Sequence, residues 1–246
     1  MEKNQKNNNE IKFSATIAQK DTETIWGWGT PAGKLRAFRR AQLIIEGAGL
    51  KAGDNILEIG CGTGMFTEIF AKTGAKILAL DISPDLLVKA RQRGLPQDQV
   101  FFVEKPFEAI EETEMFDAVI GSSILHHLDI KKALEKIFFL LRPGGVFSFA
   151  EPNFLNPQVF LERKLRFLNM FSYISPDKTA FVRWEMDALL REKGFEEIVI
   201  KNFDWLHPSI PEKMIKLIKE IEPLLERTPF IRDFLGSLYI CAKKPW

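Results

Sequence analysis

The chain is poor in cysteine and histidine, has no excess of charge and holds no long apolar run. Two cysteines in 246 residues, Cys61 and Cys241, exclude a disulfide framework and a cysteine-rich metal site, and fit a reducing, cytoplasmic location. Lys and Arg total 34 against 33 Asp and Glu, a net charge of +1. Without a basic field, nucleic acid is not expected as a partner. No segment approaches the roughly 18 consecutive apolar residues of a membrane span, and polar Met1–Glu10 lacks the apolar centre of a signal peptide. A soluble protein without stable membrane insertion is expected. There is no Gly-Lys-Ser/Thr element to cradle a triphosphate. No repeat or low-complexity linker divides the chain, whose length suits one α/β domain burying about 70 to 75% of its unfolded surface. Composition leaves the oligomeric state open.

What the chain does have is Ile56-Leu57-Glu58-Ile59-Gly60-Cys61-Gly62-Thr63-Gly64, followed at once by an amphipathic segment, Met65 to Lys72. This reads as a buried strand, a tight turn and a helix. Glycines in such a turn admit close backbone approach and φ values that other residues reach only at a cost. A dinucleotide fingerprint would space its third glycine three residues after the second, whereas Gly62 and Gly64 are two apart, which disfavours a nicotinamide oxidoreductase. No Lys or Arg lies between Gly53 and Ala71, and Glu58 precedes the glycines, so a cationic ligand fits better than a pyrophosphate. The next apolar run, Ile77 to Leu80, ends in Asp81, 21 residues after Gly60, where an acid can accept both ribose hydroxyls. A ribose with positive appendages matches S-adenosylmethionine.

With these motifs the chain resembles the class I S-adenosylmethionine-dependent methyltransferases. Leu57 to Gly64 resembles the first motif of that family, Leu80-Asp81-Ile82-Ser83 its second, and Leu141-Arg142-Pro143-Gly144-Gly145 the turn before its fifth strand. The three cover residues 50 to 150 well and the flanks poorly. The resemblance implies a doubly wound, Rossmann-like α/β sheet of seven strands, mostly parallel with the last antiparallel, carrying a helical cap. It implies that Glu58 and Gly60 hold the methionine amino end, Asp81 the ribose, and that Ile82 packs on adenine; Cys61, Gly62, Gly64, Phe107 and Ser122 complete the expected cofactor set. Pro106 stands where many members have an aspartate for the adenine amino group, leaving Glu104, Glu108 or backbone near Phe107 to serve.

Taken in order, residues 1–12 are rich in Asn, Lys and Glu and are expected to be disordered. The rest, 13–246, is expected to form one domain with cap elements at 13–48, 154–182 and 203–234. Trp26 to Gly33 brings Trp28 either into a hydrophobic plug or into a lid over the ligands. A helix is expected from Lys34 to Ala48, its Arg36, Arg39 and Arg40 forming a solvated face or binding a carboxylate of cofactor or substrate. Strands are expected at 100–103, 116–121, 146–150, 197–201 and 238–242, and helices from Ser83 to near Gly94, at 130–141 and at 184–193. Ser122 to Leu128 follows the fourth strand, at the carboxyl rim where open parallel sheets bind ligands. His127 is the first choice as base for the acceptor proton, on the family position it matches, and His126 the second; both would otherwise anchor the loop. With Asp129 they lack further ligands, so no metal is expected. Glu151 is read as orienting a substrate group or capping the next turn. Residues 154–182, helically patterned from Val159 to Phe171, read as a substrate cap. Trp28, Glu151, Arg183, Trp205 and His207 make up the candidate substrate set. The amphipathic helix at 211–225 is read as packing on the core, or else docking on a membrane or a second subunit. The expected function is methyl transfer to an oxygen, nitrogen or carbon of a small, partly apolar acceptor; an RNA or protein methyltransferase and a non-catalytic S-adenosylmethionine-binding protein are the alternatives.

Overall fold

The computed structural model describes residues 2–111, 115–157 and 181–246. Helices α1 (Glu2–Ala18), the short α2 (Thr22–Ile25) and α3 (Pro31–Ala48) precede β1 (Asn55–Ile59). There follow α4 (Met65–Ala71), β2 (Lys76–Asp81), α5 (Pro84–Arg91), β3 (Val100–Glu104), β4 (Phe116–Ser122), α6 (Ile130–Leu140) and β5 (Leu141–Pro152). Beyond residue 180 come α7 (Arg183–Glu192), β6 (Glu196–Phe203), α8 (Glu212–Arg227) and β7 (Ser237–Lys243).

The seven strands lie in the order β3-β2-β1-β4-β5-β7-β6, with β7 antiparallel to both neighbours and the pairings from β3 through β5 parallel. This is the expected doubly wound sheet. Alternating residues feed opposite layers. Leu57, Val119, Phe147 and Phe149 join the core under α6 and α7; Ile56, Ile77 and Ile120 join the core under α3, α4 and α5, with Ile44, Phe70 and Leu87. Strand order reverses between β1 and β4, so a crevice opens beyond their carboxyl ends. Local chemistry sets several boundaries. Thr30 caps α3 by accepting from the Gly33 N–H at 3.0 Å, with Pro31 in the first turn, so α3 begins before the expected Lys34. Ser83 caps α5 in the same way. β5 begins at Leu141, not Val146, because Leu141 pairs with Phe116 across a register shift and draws the Pro-Gly-Gly turn into the strand.

Two expectations change, and one falls on residues that are not described. Of residues 1–12, expected to be disordered, those from Glu2 on lie in α1, whose Phe13, Ser14 and Ile17 face a cavity instead of solvent. The expected Val159–Phe171 helix and Ser175-Pro176-Asp177 fall outside the described residues, with most of the 154–182 cap. The apolar face of α8 packs only at its edge. Ile215 is buried, whereas Met214, Leu217, Ile221 and Leu224 are 44%, 55%, 41% and 68% exposed. Polar contacts dock this helix instead: Arg39 of α3 lies 2.8 Å from Glu222 and 2.7 Å from Glu226. Among the described residues no helix is long and apolar enough to cross a membrane.

Candidate active site

The turn after β1 has the backbone its glycines permit. Gly60, Gly62 and Gly64 have φ of +70°, +54° and +74°, left-handed values that side chains disfavour. A Cβ on Gly60 would meet the Ile124 side chain at 2.6 Å, and one on Gly62 the Trp26 ring at 3.2 Å. Asp81, at the tip of β2, ties the turn down: Oδ2 accepts from the Gly62 N–H at 2.8 Å and Oδ1 from the Ser83 N–H at 2.9 Å. Burial pushes the Asp81 carboxyl above its ordinary value, against the pull of those amides. Glu58 lies beneath the turn, 2% exposed. Burial, with Asp81 nearby, raises it to about 8 against the opposing influence of the Thr67 hydroxyl, and its Oε2 is buried without a partner. Glu58 is absent from the cavity wall, which begins at the neighbouring Ile59 and Gly60.

Above the turn lies a cavity of about 1140 Å³, beyond the roughly 1,000 Å³ of the larger single-ligand sites and roomy enough for a donor and an acceptor together. Gly60, Cys61, Gly62, Asp81, Ile82, Phe107 and Ser122 line it, as do Lys105 and Glu108, whereas Glu104 does not. Gly64 stays out of the lining and turns the chain into α4. On the far side stand Trp28, Trp205, His207, His126 and His127.

Two of the named substrate residues are not at the cavity. Glu151 continues the row of Phe147 and Phe149 on β5 and is fully buried. Its Oε1 accepts from the Ile124 and Leu125 N–H groups at 2.8 and 2.9 Å, and its Oε2 pairs with His126 Nδ1 at 2.6 Å. It therefore holds the turn and faces no ligand. Arg183 opens α7, is half-buried but absent from the cavity wall, and lies 3.9 Å from Asp233. His127 Nδ1 lies 3.1 Å from Glu10 of α1, and the two histidine rings are 4.3 Å apart.

The arginines of α3 are no solvated face. Arg40 is 2% exposed, donating from Nε to Ser122 Oγ at 3.2 Å, from Nη1 to Ser237 Oγ at 2.6 Å and from Nη2 to Ser123 Oγ at 3.3 Å. Burial, then repulsion from Arg36, lowers its guanidinium to about 10, still charged at neutrality. Three hydroxyls contact it directly, the rings of Trp28 and Phe203 flank it at 5.5 and 5.7 Å, and Asp204 and Glu151 supply counter-charge nearby. Arg36 is 2.6 Å from Asp204. Ser123 and Asp204 have φ of +59° and +82°, strained values of the kind that gather at functional sites. Sequence reading missed Ser123, Ser237, Asp204 and Glu10. The one local signal was the i, i+4 spacing of Arg36 and Arg40, which puts both on one helix face.

A sheet of this order, a three-glycine turn and a carboxylate at the tip of the second strand define a nucleoside-binding protein of Rossmann-like methyltransferase fold. A family model described as a methyltransferase domain matches residues 57–147. The ubiquinone biosynthesis O-methyltransferase of Methylococcus capsulatus is 31% identical over 193 residues, 70% of this chain and 79% of that one. Its namesake from Xanthomonas oryzae pv. oryzae (strain PXO99A) is 35% identical over 125 residues, 49% of this chain, which thus spans about half of that relative's length, 52%. A Thermotoga maritima S-adenosylmethionine-dependent methyltransferase structure, titled a possible histamine N-methyltransferase, superposes with a TM-score of 0.67 at 21% identity, covering 94% of this chain and 99% of that one. N-methyltransferase NodS from Bradyrhizobium japonicum gives 0.63 at 18% identity over 97% and 100%. The chain belongs to the class I S-adenosylmethionine-dependent methyltransferases, and S-adenosylmethionine is the cofactor of that family.

Proposed function

We propose that the chain transfers a methyl group from S-adenosylmethionine to an oxygen of a small, partly apolar molecule with an ionisable hydroxyl. The observation that carries this reading is the single cavity joining the glycine turn to two histidines and two tryptophans. Oxygen is preferred among the possible acceptor atoms because the relatives are named O-methyltransferases.

The residues fit the donor by charge and shape. Asp81 offers carboxylate oxygens to a ribose, Ile82 and Phe107 offer apolar surface to adenine, and Glu108 stands where an exocyclic amine could meet an acid. Glu58 matches an ammonium. Arg40, set among three serines, matches a carboxylate. When bound, S-adenosylmethionine supplies an electrophilic methyl group on a sulfonium.

The chain's own residues then have three tasks. Trp28 and Trp205 give an acceptor ring apolar walls, which aligns it for in-line attack. Trp26, against Gly62, and the Phe13 and Ile17 side chains of α1 exclude water. A histidine of the 126–127 pair accepts the hydroxyl proton near neutrality. Calorimetry with S-adenosylmethionine and its demethylated product, then mass analysis after incubation with the catechol 3,4-dihydroxybenzoate, tests the reading. Micromolar binding and a product one methyl group heavier are expected; absence of binding overturns it.

A further inference from the structure

We propose that Glu151 is a positioning residue, holding the Nδ1–H of His126 so that His126 Nε2, in preference to His127, takes the proton of the acceptor hydroxyl. This rests on the methyl-transfer reading above and names how that site removes the proton.

Glu151 can touch no ligand. It is fully buried and absent from the cavity wall, and both of its oxygens are engaged inside the protein. Capping the 124–126 turn uses Oε1 alone, through two backbone N–H groups. Oε2 is given to the imidazole, at 2.6 Å. A carboxylate already accepting two amides has only acceptor capacity left, so Nδ1 carries the proton and Nε2 is the basic nitrogen. Burial raises the Glu151 carboxyl, while the two amides, Arg40 and His127 favour its ionised form.

The charged groups around the pair separate the two histidines. Glu151 reaches His126 from β5, in the centre of the sheet, with Arg40 of α3 nearby, whereas His127 is held by Glu10 of the N-terminal helix. Their rings are 4.3 Å apart, so a proton on one opposes a proton on the other. The histidine backed by a fully buried carboxylate is the one whose cationic form is stabilised where it is made.

In the step that follows, the O–H bond of the acceptor breaks and its proton goes to His126 Nε2. The oxygen pair forms the new O–C bond as the C–S bond of the donor breaks, and that pair stays on sulfur. Water later removes the proton from the imidazolium. The acceptor must therefore bring a removable proton, as a phenol or catechol does.

The test uses the full chain labelled with ¹⁵N-histidine, in which NMR reads which ring nitrogen carries the proton. In the wild type His126 is expected with the proton on Nδ1. In Glu151→Gln the amide oxygen keeps the two backbone bonds while the amide N–H₂ faces Nδ1, which moves the proton to Nε2. With 3,4-dihydroxybenzoate, Glu151→Gln and His126→Asn should lower kcat about 10²- to 10⁴-fold, the range of general-base catalysis, and lose the acidic limb of the pH profile. Calorimetric donor Kd should stay within about twofold and His127→Asn should lose less than His126→Asn. A wild-type His126 with its proton on Nε2 overturns the proposal without any variant, as does an unshifted proton in a folded Glu151→Gln or a larger loss in His127→Asn. Failure of the wild type to bind S-adenosylmethionine would instead sink the methyl-transfer reading.

Discussion

The donor half of the cavity and the acceptor half are built by different means. Gly60 to Gly62 and Asp81 come from two adjacent strand ends, and their contacts are backbone amides on one carboxylate. In the proposed reading the acceptor half draws Trp28 from before β1, the histidines from after β4, and Trp205 from beyond β6. Short-range chemistry makes the first rigid and repeatable. The second depends on side chains far apart in sequence, and there specificity can vary without disturbing the fold.

If that division is right, donor-side changes alter donor affinity most. Asp81→Ala removes an acid that can make two charge-assisted bonds to a ribose, each about 1.5–3 kcal/mol, and frees the glycine turn. Donor Kd by calorimetry should rise at least about 100-fold. An unchanged Kd would break the division at its strongest point. Arg40→Lys keeps the charge but loses the fork that meets Ser122, Ser123 and Ser237. Its donor Kd should rise about 10- to 100-fold. A loss confined to acceptor KM would reassign Arg40 to the other half.

Glu58 sharpens the same contrast through pH. Its folded value of about 8 lies above the ordinary 4.5, so the unfolded chain ionises first as pH rises. The contribution of Glu58 to unliganded stability is thus complete below 4.5 and is lost progressively up to about 8. Melting curves should show this decline, and Glu58→Gln should flatten it. A donor ammonium brought near Glu58 would favour its ionised form, so binding should expel its proton. Affinity should rise with pH by up to about tenfold per unit below the folded value. Enthalpies that do not change with buffer ionisation would contradict this.

The two halves also differed in legibility. β1, the glycine turn and Asp81 were readable because one contiguous pattern encodes strand, turn and acid together. Arg36, Arg39 and Arg40 look like a solvated run, and only the return of β7 and the 203–206 segment across α3 buries Arg40 and half-buries Arg36. Glu151 was open between substrate and turn at the level of sequence. Tertiary contacts decide it, since both faces of β5 are buried there and the Glu151 carboxylate meets the Ile124 and Leu125 N–H groups and His126. The apolar stripe of α8 predicted burial, but nothing local shows that Glu222 and Glu226 rather than Leu217 meet the core.

The smallest effect belongs to the acceptor half, at Trp205. Its backbone N–H is taken by Glu222 at 2.8 Å, whereas its indole Nε1 is buried without a partner, in a residue that lines the cavity. An unpaired buried N–H is unfavourable until something accepts from it, and an oxygen of a bound acceptor would meet that need. Trp205→Phe keeps an aromatic wall and removes only the donor. A neutral hydrogen bond of about 0.5–1.5 kcal/mol corresponds to a rise of roughly two- to tenfold in acceptor KM, while calorimetric donor affinity should not move. A variant that weakens donor binding instead would show that the indole belongs to the nucleoside side, and that the cavity is not divided where Trp205 marks it.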